Sequence, residues 1–446
     1  MTILYDRIFA GGTLVTPNGI GTGNVAVKDG KIAAIGDVDV SKAAEITDVS
    51  GLHVLPGVID SQVHFREPGN EHKEDLETGA RGAVQGGVTG VFEMPNTNPT
   101  TSTKEAIADK VARGTARMAC DFAFYVGATA ENVEELATLE REPGTCGVKI
   151  FMGSSTGSLL VGDDDTLERV LRSGTRRVAI HCEDEFRLQE RQPLTYEEGG
   201  VHNHPVWRDE ESARLATERL LRLAKRAGRR VHVLHVTTKD EVPMLAAAKD
   251  YATMEVTPQH LTLAAPDCYD RLGTFAQMNP PIRGQEHQDA LWHAINQGIV
   301  DVIGSDHAPH TREEKANEYP ATPSGMPGVQ TLVPVMLTHV ANGKLSLERF
   351  VDLVCHGPQR LFNIAGKGRL VVGYDADLTI VDLKRKQVIE DSWMENRSGW
   401  TPFHGFEATG WPISTILRGM TVMQDGEIVA PGQGQPMRFM ECLPQA

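Results

Sequence analysis

Eight short strand-like segments, separated by segments of helical periodicity, constrain the fold of this 446-residue chain more than any other feature. Each is apolar, rich in β-branched or aromatic residues and bounded by turn-forming residues, which is typical of a buried strand. The predicted strands cover residues 57–63, 89–94, 121–126, 147–152, 177–181, 231–235, 253–257 and 301–304. Because strands that alternate with helices form parallel sheets, eight such units predict an α/β fold built on a TIM (β/α)8 barrel.

Helical periodicity accounts for much of the sequence between these strands. The predicted helices cover residues 103–113, 131–141, 210–227, 240–249 and 285–298. Two further amphipathic segments, 330–341 and 345–362, follow the eighth strand, and we expect them to close the barrel.

The two ends of the chain have a different sequence pattern. Short runs of alternating apolar and polar residues are separated there by Gly-Gly, Asn-Gly and Asp-Gly turns. Such runs occur before residue 55 and again from residue 376 onward. Since sheets with unpaired edges are prone to aggregate, we expect the two ends to join in one small β-sandwich domain. The predicted domains are residues 1–55 and 366–446, which form the sandwich, and residues 56–365, which form the barrel.

Composition excludes several classes of protein. The formal net charge of −16, without a long Lys/Arg run, argues against nucleic acid as a partner. No apolar run reaches the length of a membrane span and the N-terminus lacks a signal-peptide pattern, so we expect no membrane association and a cytoplasmic location. Six scattered cysteines without a CxxC pair predict neither a disulfide framework nor a cysteine zinc site. An anionic small-molecule substrate remains compatible, because local charges set the field inside a pocket.

Ligand-type side chains recur where the predicted strands end, and the loops that follow barrel strands are where active sites form. His64, His181 and His235 lie at the ends of the first, fifth and sixth strands, and Asp306 follows the eighth. Lys149 lies inside the apolar fourth strand, where a lone ammonium is costly to bury unless it forms a structural ion pair. Carbamylation would make Lys149 an anionic bridging ligand, and imidazole and carboxylate suit zinc. An Asp near a metal can also move a proton.

Longer motifs carry a resemblance to a known family: Val63-His64-Phe65-Arg66-Glu67-Pro68-Gly69, Met94-Pro95-Asn96-Thr97-Asn98-Pro99, Met278-Asn279-Pro280-Pro281-Ile282-Arg283 and Ser305-Asp306-His307-Ala308-Pro309-His310. On these motifs the chain resembles the amidohydrolase superfamily, and within it the cyclic amidases, most closely the dihydroorotase group. The resemblance covers nearly the whole chain. It implies a hydrolase that interconverts dihydroorotate and N-carbamoyl-aspartate in pyrimidine synthesis, with allantoinase, hydantoinase and dihydropyrimidinase as related alternatives.

The same resemblance implies a metal centre with one or two Zn²⁺ ions per chain. Its ligands would be a carboxylated Lys149, together with His64, His181, His235 and Asp306, and Asp306 would also be the catalytic acid and base. We further expect the protein to be a homo-oligomer, either a dimer or a tetramer.

Two departures from the family pattern concern the metal centre. Gln62 stands where the family has the first His of a His-x-His motif, and Gln259 stands where it usually has the first of two adjacent His. These residues leave open a one-zinc enzyme, a weakened two-zinc enzyme, or an inactive homologue that serves as a scaffold for a transcarbamylase partner. We expect the position formed by Lys149, His181 and His235 to bind metal first. The other position would keep His64, Asp306 and the shared Lys149. Gln62 would either add its amide oxygen as a ligand there, or orient the nucleophilic water or hydrogen-bond to Asp306.

The expected substrate contacts are Arg66, Asn96 and His310, which match family positions that hold the ring carboxylate, and Asn279, which matches a further contact. The planar fork of an Arg is well suited to a carboxylate. The alternative roles are a surface ion pair for Arg66 and turn positions next to proline for the two asparagines. Hydantoinases and dihydropyrimidinases handle rings without this carboxylate, so the set favours a dihydroorotase.

Some conspicuous residues are interpreted as structural. The acidic run 183–185 is predicted to be a solvated turn, and His202 and His204 are predicted to lie in a loop. The acidic run 163–165 is predicted to start a helix.

Overall fold

The computed structural model describes residues 3–155 and 159–443 of the chain. It opens with five strands that pair with one another before the chain enters the barrel. They are β1 (Tyr5–Thr16), β2 (Gly19–Lys28), β3 (Lys31–Gly36), β4 (Ala43–Asp48) and β5 (His53–Pro56). The central strand β1 pairs with β2 in an antiparallel sense and with β4 and β5 in a parallel sense, so this sheet is mixed.

The barrel consists of parallel strands that pair in the order of the sequence. They are β6 (Val58–Val63), β7 (Val88–Glu93), β8 (Asp121–Gly127), β9 (Thr145–Phe151), β10 (Val178–His181), β11 (Val231–Val233), β12 (Ala252–Val256) and β13 (Val302–Ile303). The ring closes after β13, where the backbone N–H of His64 donates to the carbonyl of His307 over 2.7 Å. The predicted TIM barrel is therefore confirmed, and each observed strand end lies within two residues of the predicted one.

The C-terminal strands return to the first sheet. They are β14 (Leu378–Val388), β15 (Glu407–Leu417), β16 (Met420–Gln424) and β17 (Glu427–Ile428). Antiparallel pairing of β14 with β5 joins both chain ends in one sheet of nine strands, as the sequence predicted. The sheet has an apolar core of its own, which includes Phe9, Val25, Val54, Leu378 and Ile380. The domain boundaries at residues 55 and 365 stay predictions.

Helices cover the outside of the barrel strands. In the described part of the chain the α-helices are α1 (Leu76–Gln85), α2 (Lys104–Gly114), α3 (Leu136–Leu139), α4 (Asp164–Arg172), α5 (Glu185–Arg191), α6 (Asn203–Trp207), α7 (Glu210–Ala227), α8 (Glu241–Ala247), α9 (Pro258–Thr262), α10 (Asp267–Leu272), α11 (Gln285–Asn296), α12 (Arg312–Lys315), α13 (Leu332–Ala341), α14 (Leu347–Val351) and α15 (Gly357–Phe362). None of these described helices is long and apolar enough to cross a membrane. The longest, α7, begins after Asp209, whose carboxylate accepts from the N–H of Ser212, and ends at Gly228 in a left-handed conformation.

Two predicted helices differ from the observed ones. The segment 131–141 forms turns with only the short helix α3, because the Asn132 side chain bonds to the backbone of Gly127, Thr129 and Ser102 and competes with helical hydrogen bonds. The segment 345–362 is divided into α14 and α15 by a π-helical turn at Asp352–His356.

Candidate active site

The predicted site residues gather at the C-terminal end of the barrel strands, around one cavity. The cavity is lined by Gln62, His64, Arg66, Asn96, Lys149, Phe151, Ser155, His181, His235, Asn279, Asp306, Ala308, Ser324 and Gly325. Of the residues expected to contact metal or substrate, only His310 is not in this lining; it is fully buried behind Arg66.

Three of the lining residues adopt a left-handed backbone conformation that side chains other than glycine rarely take. Their φ angles are 64° for Arg66, 36° for His235 and 44° for Asp306. Each residue lies just beyond the end of a barrel strand, where the chain turns to leave the barrel. Such conformations persist only where the surrounding structure imposes them, and they concentrate at functional sites.

The first pair of candidate metal ligands is formed by His181 and His235. His181 Nδ1 lies 3.1 Å from His235 Nε2, and His181 Nε2 donates to Glu183 Oε2 over 2.8 Å. That bond leaves Nδ1 of a neutral His181 ring as a lone-pair donor toward the cavity. Burial lowers the pKa of both histidines, so the rings are neutral, as metal ligands must be.

The second pair is formed by His64 and Asp306. His64 Nδ1 lies 2.8 Å from Asn96 Oδ1 and donates to it, while His64 Nε2 lies 3.2 Å from Asp306 Oδ1. Two acceptor atoms at this distance repel each other unless a cation lies between them. His64 Nε2 and Asp306 Oδ1 are therefore arranged to hold a positive charge between them.

Lys149 lines the same cavity as the two pairs. Its side chain is 1% exposed, and in the described part of the chain it forms no ion pair with a carboxylate; its Nζ lies 4.3 Å from the centre of the Phe151 ring. Burial lowers the pKa of Lys149 to about 7, which favours the neutral amine. An uncharged, unpaired amine is the form that carbamylation requires.

These residues fit a metal ion. Zinc ligands about 2.0–2.1 Å from the ion in a tetrahedral site lie about 3.3 Å from one another, which is close to the separation within each pair. No group of three or more His, Cys, Asp or Glu side chains in the described residues converges on one point. A metal ion at either pair would therefore need a further ligand, and Lys149 lines the same cavity.

Gln62 makes a hydrogen bond in place of a metal contact. Its Nε2 donates to Asp306 Oδ1 over 3.0 Å, while its buried Oε1 has no hydrogen-bond partner among the described residues. In this orientation the atom that faces Asp306 is an amide nitrogen, which has no lone pair available for a metal. The expected hydrogen bond to Asp306 is therefore present, and an amide-oxygen contact is not. Gln259 likewise donates to a backbone carbonyl, that of Ser305, over 2.8 Å.

Arg66 supplies positive charge to the opposite wall of the cavity. Its side chain is buried, its Nε donates to the carbonyl of Pro309 over 3.2 Å, and it forms no ion pair in the described part of the chain. Burial lowers the pKa of Arg66 to about 10, so the guanidinium stays charged near neutral pH. This differs from the alternative role of a surface ion pair. A buried guanidinium without a carboxylate partner is costly in itself, and an anionic ligand would compensate the charge.

The acidic run 183–185 is not a solvated turn, so this prediction is wrong. Glu183 is fully buried because its carboxylate accepts from His181 and from Arg208. Burial alone would raise the pKa of Glu183, but Arg208 and His181 bring this pKa down to about 2. A carboxylate two residues after a strand-end His was the available signal, because it can reach back to the imidazole.

The predicted loop at His202 and His204 is also wrong in detail. His204 lies in α6, is fully buried, and contacts Asn279 Oδ1 over 3.0 Å, so it helps to position a lining residue. The acidic run at 163–165 does start a helix, because Asp163 caps α4.

A barrel with imidazole, carboxylate and lysine groups at this end defines a hydrolase of the metal-assisted kind. The sequence matches the amidohydrolase family over residues 53–422, and the chain belongs to that family, as its motifs predicted. Enzymes of this family generally use a metal, commonly zinc.

Individual relatives differ in their substrates. The chain is 36% identical to a dihydroorotase of Methanosarcina mazei, and the match covers 95% of each chain. It is 33% identical to an L-hydantoinase of Paenarthrobacter aurescens, over 97% of this chain and 98% of that one. Among solved structures, an L-hydantoinase (dihydropyrimidinase) from Arthrobacter aurescens superposes with a TM-score of 0.92 at 31% identity, over 97% of this chain and all of the other.

Proposed function

We propose that this chain is a dihydroorotase, which opens the ring amide of dihydroorotate to N-carbamoyl-aspartate and closes it again in pyrimidine biosynthesis. The observation that carries the proposal is the buried, unpaired Arg66 guanidinium on the cavity wall. Dihydroorotate is a cyclic ureide with a ring carboxylate, and it supplies the anion that Arg66 lacks. A hydantoin or dihydropyrimidine ring without that carboxylate would leave the guanidinium buried and uncompensated.

The polar lining of the cavity agrees with a small-molecule substrate. Asn279 and Asn96 add amide groups to the lining that includes Arg66. Oriented amides and a guanidinium fork would fix the ring by its carboxylate and leave the scissile amide toward Asp306.

The metal ligands would be His181, His235 and a carboxylated Lys149, with His64 and Asp306 forming the second position. A bound zinc ion would polarise the ring carbonyl and lower the pKa of water. His181 is held for this role by Glu183, which fixes the ring orientation and leaves Nδ1 free of a proton.

Asp306 would act as general base and then as general acid. It would take the proton of the attacking water and return it to the ring nitrogen as the amide bond breaks. The hydrogen bond from Gln62 and the left-handed backbone at Asp306 hold the carboxylate at the cavity wall. The reverse reaction uses the same proton transfers in the opposite order.

Turnover of purified, zinc-supplied protein tests the substrate. We expect hydrolysis of dihydroorotate and cyclisation of N-carbamoyl-aspartate, with far lower rates for hydantoin, allantoin and dihydrouracil. Hydrolysis of these other rings without turnover of dihydroorotate in either direction would overturn the assignment. Stoichiometric zinc distinguishes an enzyme from a scaffold, because a scaffold for a transcarbamylase partner needs no metal.

We further propose that Gln62 limits the centre to one firmly bound metal ion. The position of Lys149, His181 and His235 would fill first, because the other position has an amide nitrogen where an imidazole would bind. Replacing Gln62 by His should raise the zinc content from about one to about two per chain, as measured by elemental analysis after dialysis. The variant Gln62→Asn is the matched control and should keep one. Two firmly bound zinc ions in the wild-type protein would contradict this proposal.

A further inference from the structure

His310 is placed to influence the substrate site from behind the cavity wall. Its ring is fully buried, and three neighbours surround its two nitrogens. His310 Nε2 lies 3.0 Å from the carbonyl oxygen of Ser324 and 3.3 Å from Arg66 Nη2. On the other side, His310 Nδ1 lies 3.1 Å from Lys73 Nζ. A neutral ring carries one proton, so these contacts compete for it.

Lys73 and the Ser324 carbonyl together place that proton on Nε2, because the carbonyl only accepts and Lys73 only donates. An ammonium group only donates, so His310 Nδ1 must accept from Lys73 and the ring proton must lie on Nε2. Glu314 Oε1, 3.1 Å from Lys73 Nζ, supports the charged form of the lysine. The ring itself is neutral, because burial and the neighbouring cations lower the pKa of His310 well below its usual value.

The Nε2–H form has a consequence for Arg66. The Nε2–H group donates to the Ser324 carbonyl, the shorter of its two contacts, and offers no lone pair to Arg66 Nη2. Arg66 then has one hydrogen bond to the protein among the described residues, from Nε to the Pro309 carbonyl. Its remaining N–H groups are left for an anion in the cavity.

We infer that Lys73 is a specificity-determining positioning residue, which keeps the Arg66 fork available for the substrate carboxylate by holding His310 in the Nε2–H form. This inference rests on the proposed dihydroorotase function for the identity of the anion. Without Lys73, the proton can move to Nδ1, where Glu314 Oε2 at 3.8 Å is the nearest carboxylate oxygen. His310 Nε2 then becomes an acceptor that competes with the substrate for Arg66.

The tautomer can be measured without any turnover. In protein with ¹⁵N-labelled histidine, the ring resonances of His310 are assigned by their loss in His310→Gln. We expect a protonated Nε2 and an unprotonated Nδ1 in the wild type and in Lys73→Arg, which also only donates. In Lys73→Met we expect a measurable population protonated on Nδ1, because Arg66 Nη2 then competes with the Ser324 carbonyl for His310 Nε2. A wild-type ring protonated on Nδ1, or a Lys73→Met ring unchanged from the wild type, overturns the inference.

Kinetics give the second readout. In Lys73→Met we expect KM for dihydroorotate to rise roughly tenfold, the effect of about one hydrogen bond to a charged group, with kcat changed much less. Lys73→Arg should restore KM. The matched control is Lys249→Met, a partly buried lysine that bonds to Ile299 and Asp301 at the other end of the barrel, and it should leave KM unchanged. A KM in Lys73→Met equal to that of the control contradicts the inference.

The two proposals fail separately. If the wild-type protein does not turn over dihydroorotate, the proposed function fails, and the tautomer still decides whether Lys73 controls His310. If the wild type is active but the ring and KM of Lys73→Met are unchanged, only the role of Lys73 fails.

Discussion

Two buried lysines at opposite ends of the barrel have opposite surroundings. Lys149, at the C-terminal end, is 1% exposed and has no carboxylate partner in the described part of the chain. Lys367, at the N-terminal end, is also buried, but its Nζ lies 2.6 Å from Asp377 and 3.0 Å from Asp375, and it also pairs with Asp121.

The difference appears in their protonation. Burial lowers the pKa of Lys149 to about 7. Burial alone would also lower the pKa of Lys367, but the carboxylates of Asp377, Asp121 and Asp375 outweigh it and raise the pKa above its usual value. A buried cation that supports the fold has all of its partners in the chain. A buried amine without a carboxylate partner is available for a ligand or for chemical modification.

The largest expected effect comes from removing the unpaired lysine. In Lys149→Met we expect turnover of dihydroorotate to fall at least about 10³-fold, because the proposed metal centre would lose its carboxylated lysine ligand. The free energy of unfolding of the metal-free protein should stay the same or increase, since an uncompensated amine leaves the interior. If this variant keeps its metal and its turnover, Lys149 has no role at the site and does not differ from Lys367 in this respect.

Removing the paired lysine, Lys367, should instead lower the stability and leave the activity unchanged. In Lys367→Met we expect the free energy of unfolding to fall by about 3–5 kcal/mol, because buried carboxylates lose their counter-charge. Denaturant titration measures the loss, and kcat of the folded enzyme should not change. The control is Lys239→Met, which breaks the exposed pair with Glu286 and should leave the free energy of unfolding nearly unchanged. A loss for Lys367→Met no larger than the control would show that the network is not structural.

The smallest expected effect comes from neutralising one buried carboxylate at each end of the barrel. Glu183 holds His181, whereas Glu140 pairs with Arg229 near the other end of the barrel. In Glu183→Gln we expect zinc affinity to fall about 10–100-fold, because the imidazole loses its charged partner. In Glu140→Gln we expect lower stability and unchanged zinc affinity. Competition with a chelator measures both, and equal zinc affinities in the two variants would contradict the role of Glu183.

The sequence was most informative where a pattern is local. Strand positions followed from short apolar runs between turns, and the α7 boundaries followed from helical periodicity. The helix predicted at 131–141 was wrong because the Asn132 side chain donates to the backbone carbonyls of Ser102 and Gly127, which lie outside the predicted helix. Local periodicity contains no information about such contacts.

At the site, the sequence predicted which residues meet, but not all of their contacts. His64, Lys149, His181, His235 and Asp306 converge because parallel barrel strands end on one face. The burial of Glu183 depends on Arg208, which lies 25 residues further along the chain, and the acidic run by itself resembled a solvated turn.

The sequence by itself determined the barrel, the shared sheet of the chain ends and the ligand-type residues at strand ends, because these follow from hydrophobic periodicity and from residue chemistry. Only the tertiary structure decided which charges are paired. It places three carboxylates around Lys367 and, among the described residues, none against Lys149. It also turns the Gln62 amide toward Asp306 and puts His310 behind Arg66 with Lys73 at its far nitrogen. The physical reason is that the free energy of a buried charge depends on groups within a few ångströms in space, and in this fold those groups come from segments far apart in the sequence.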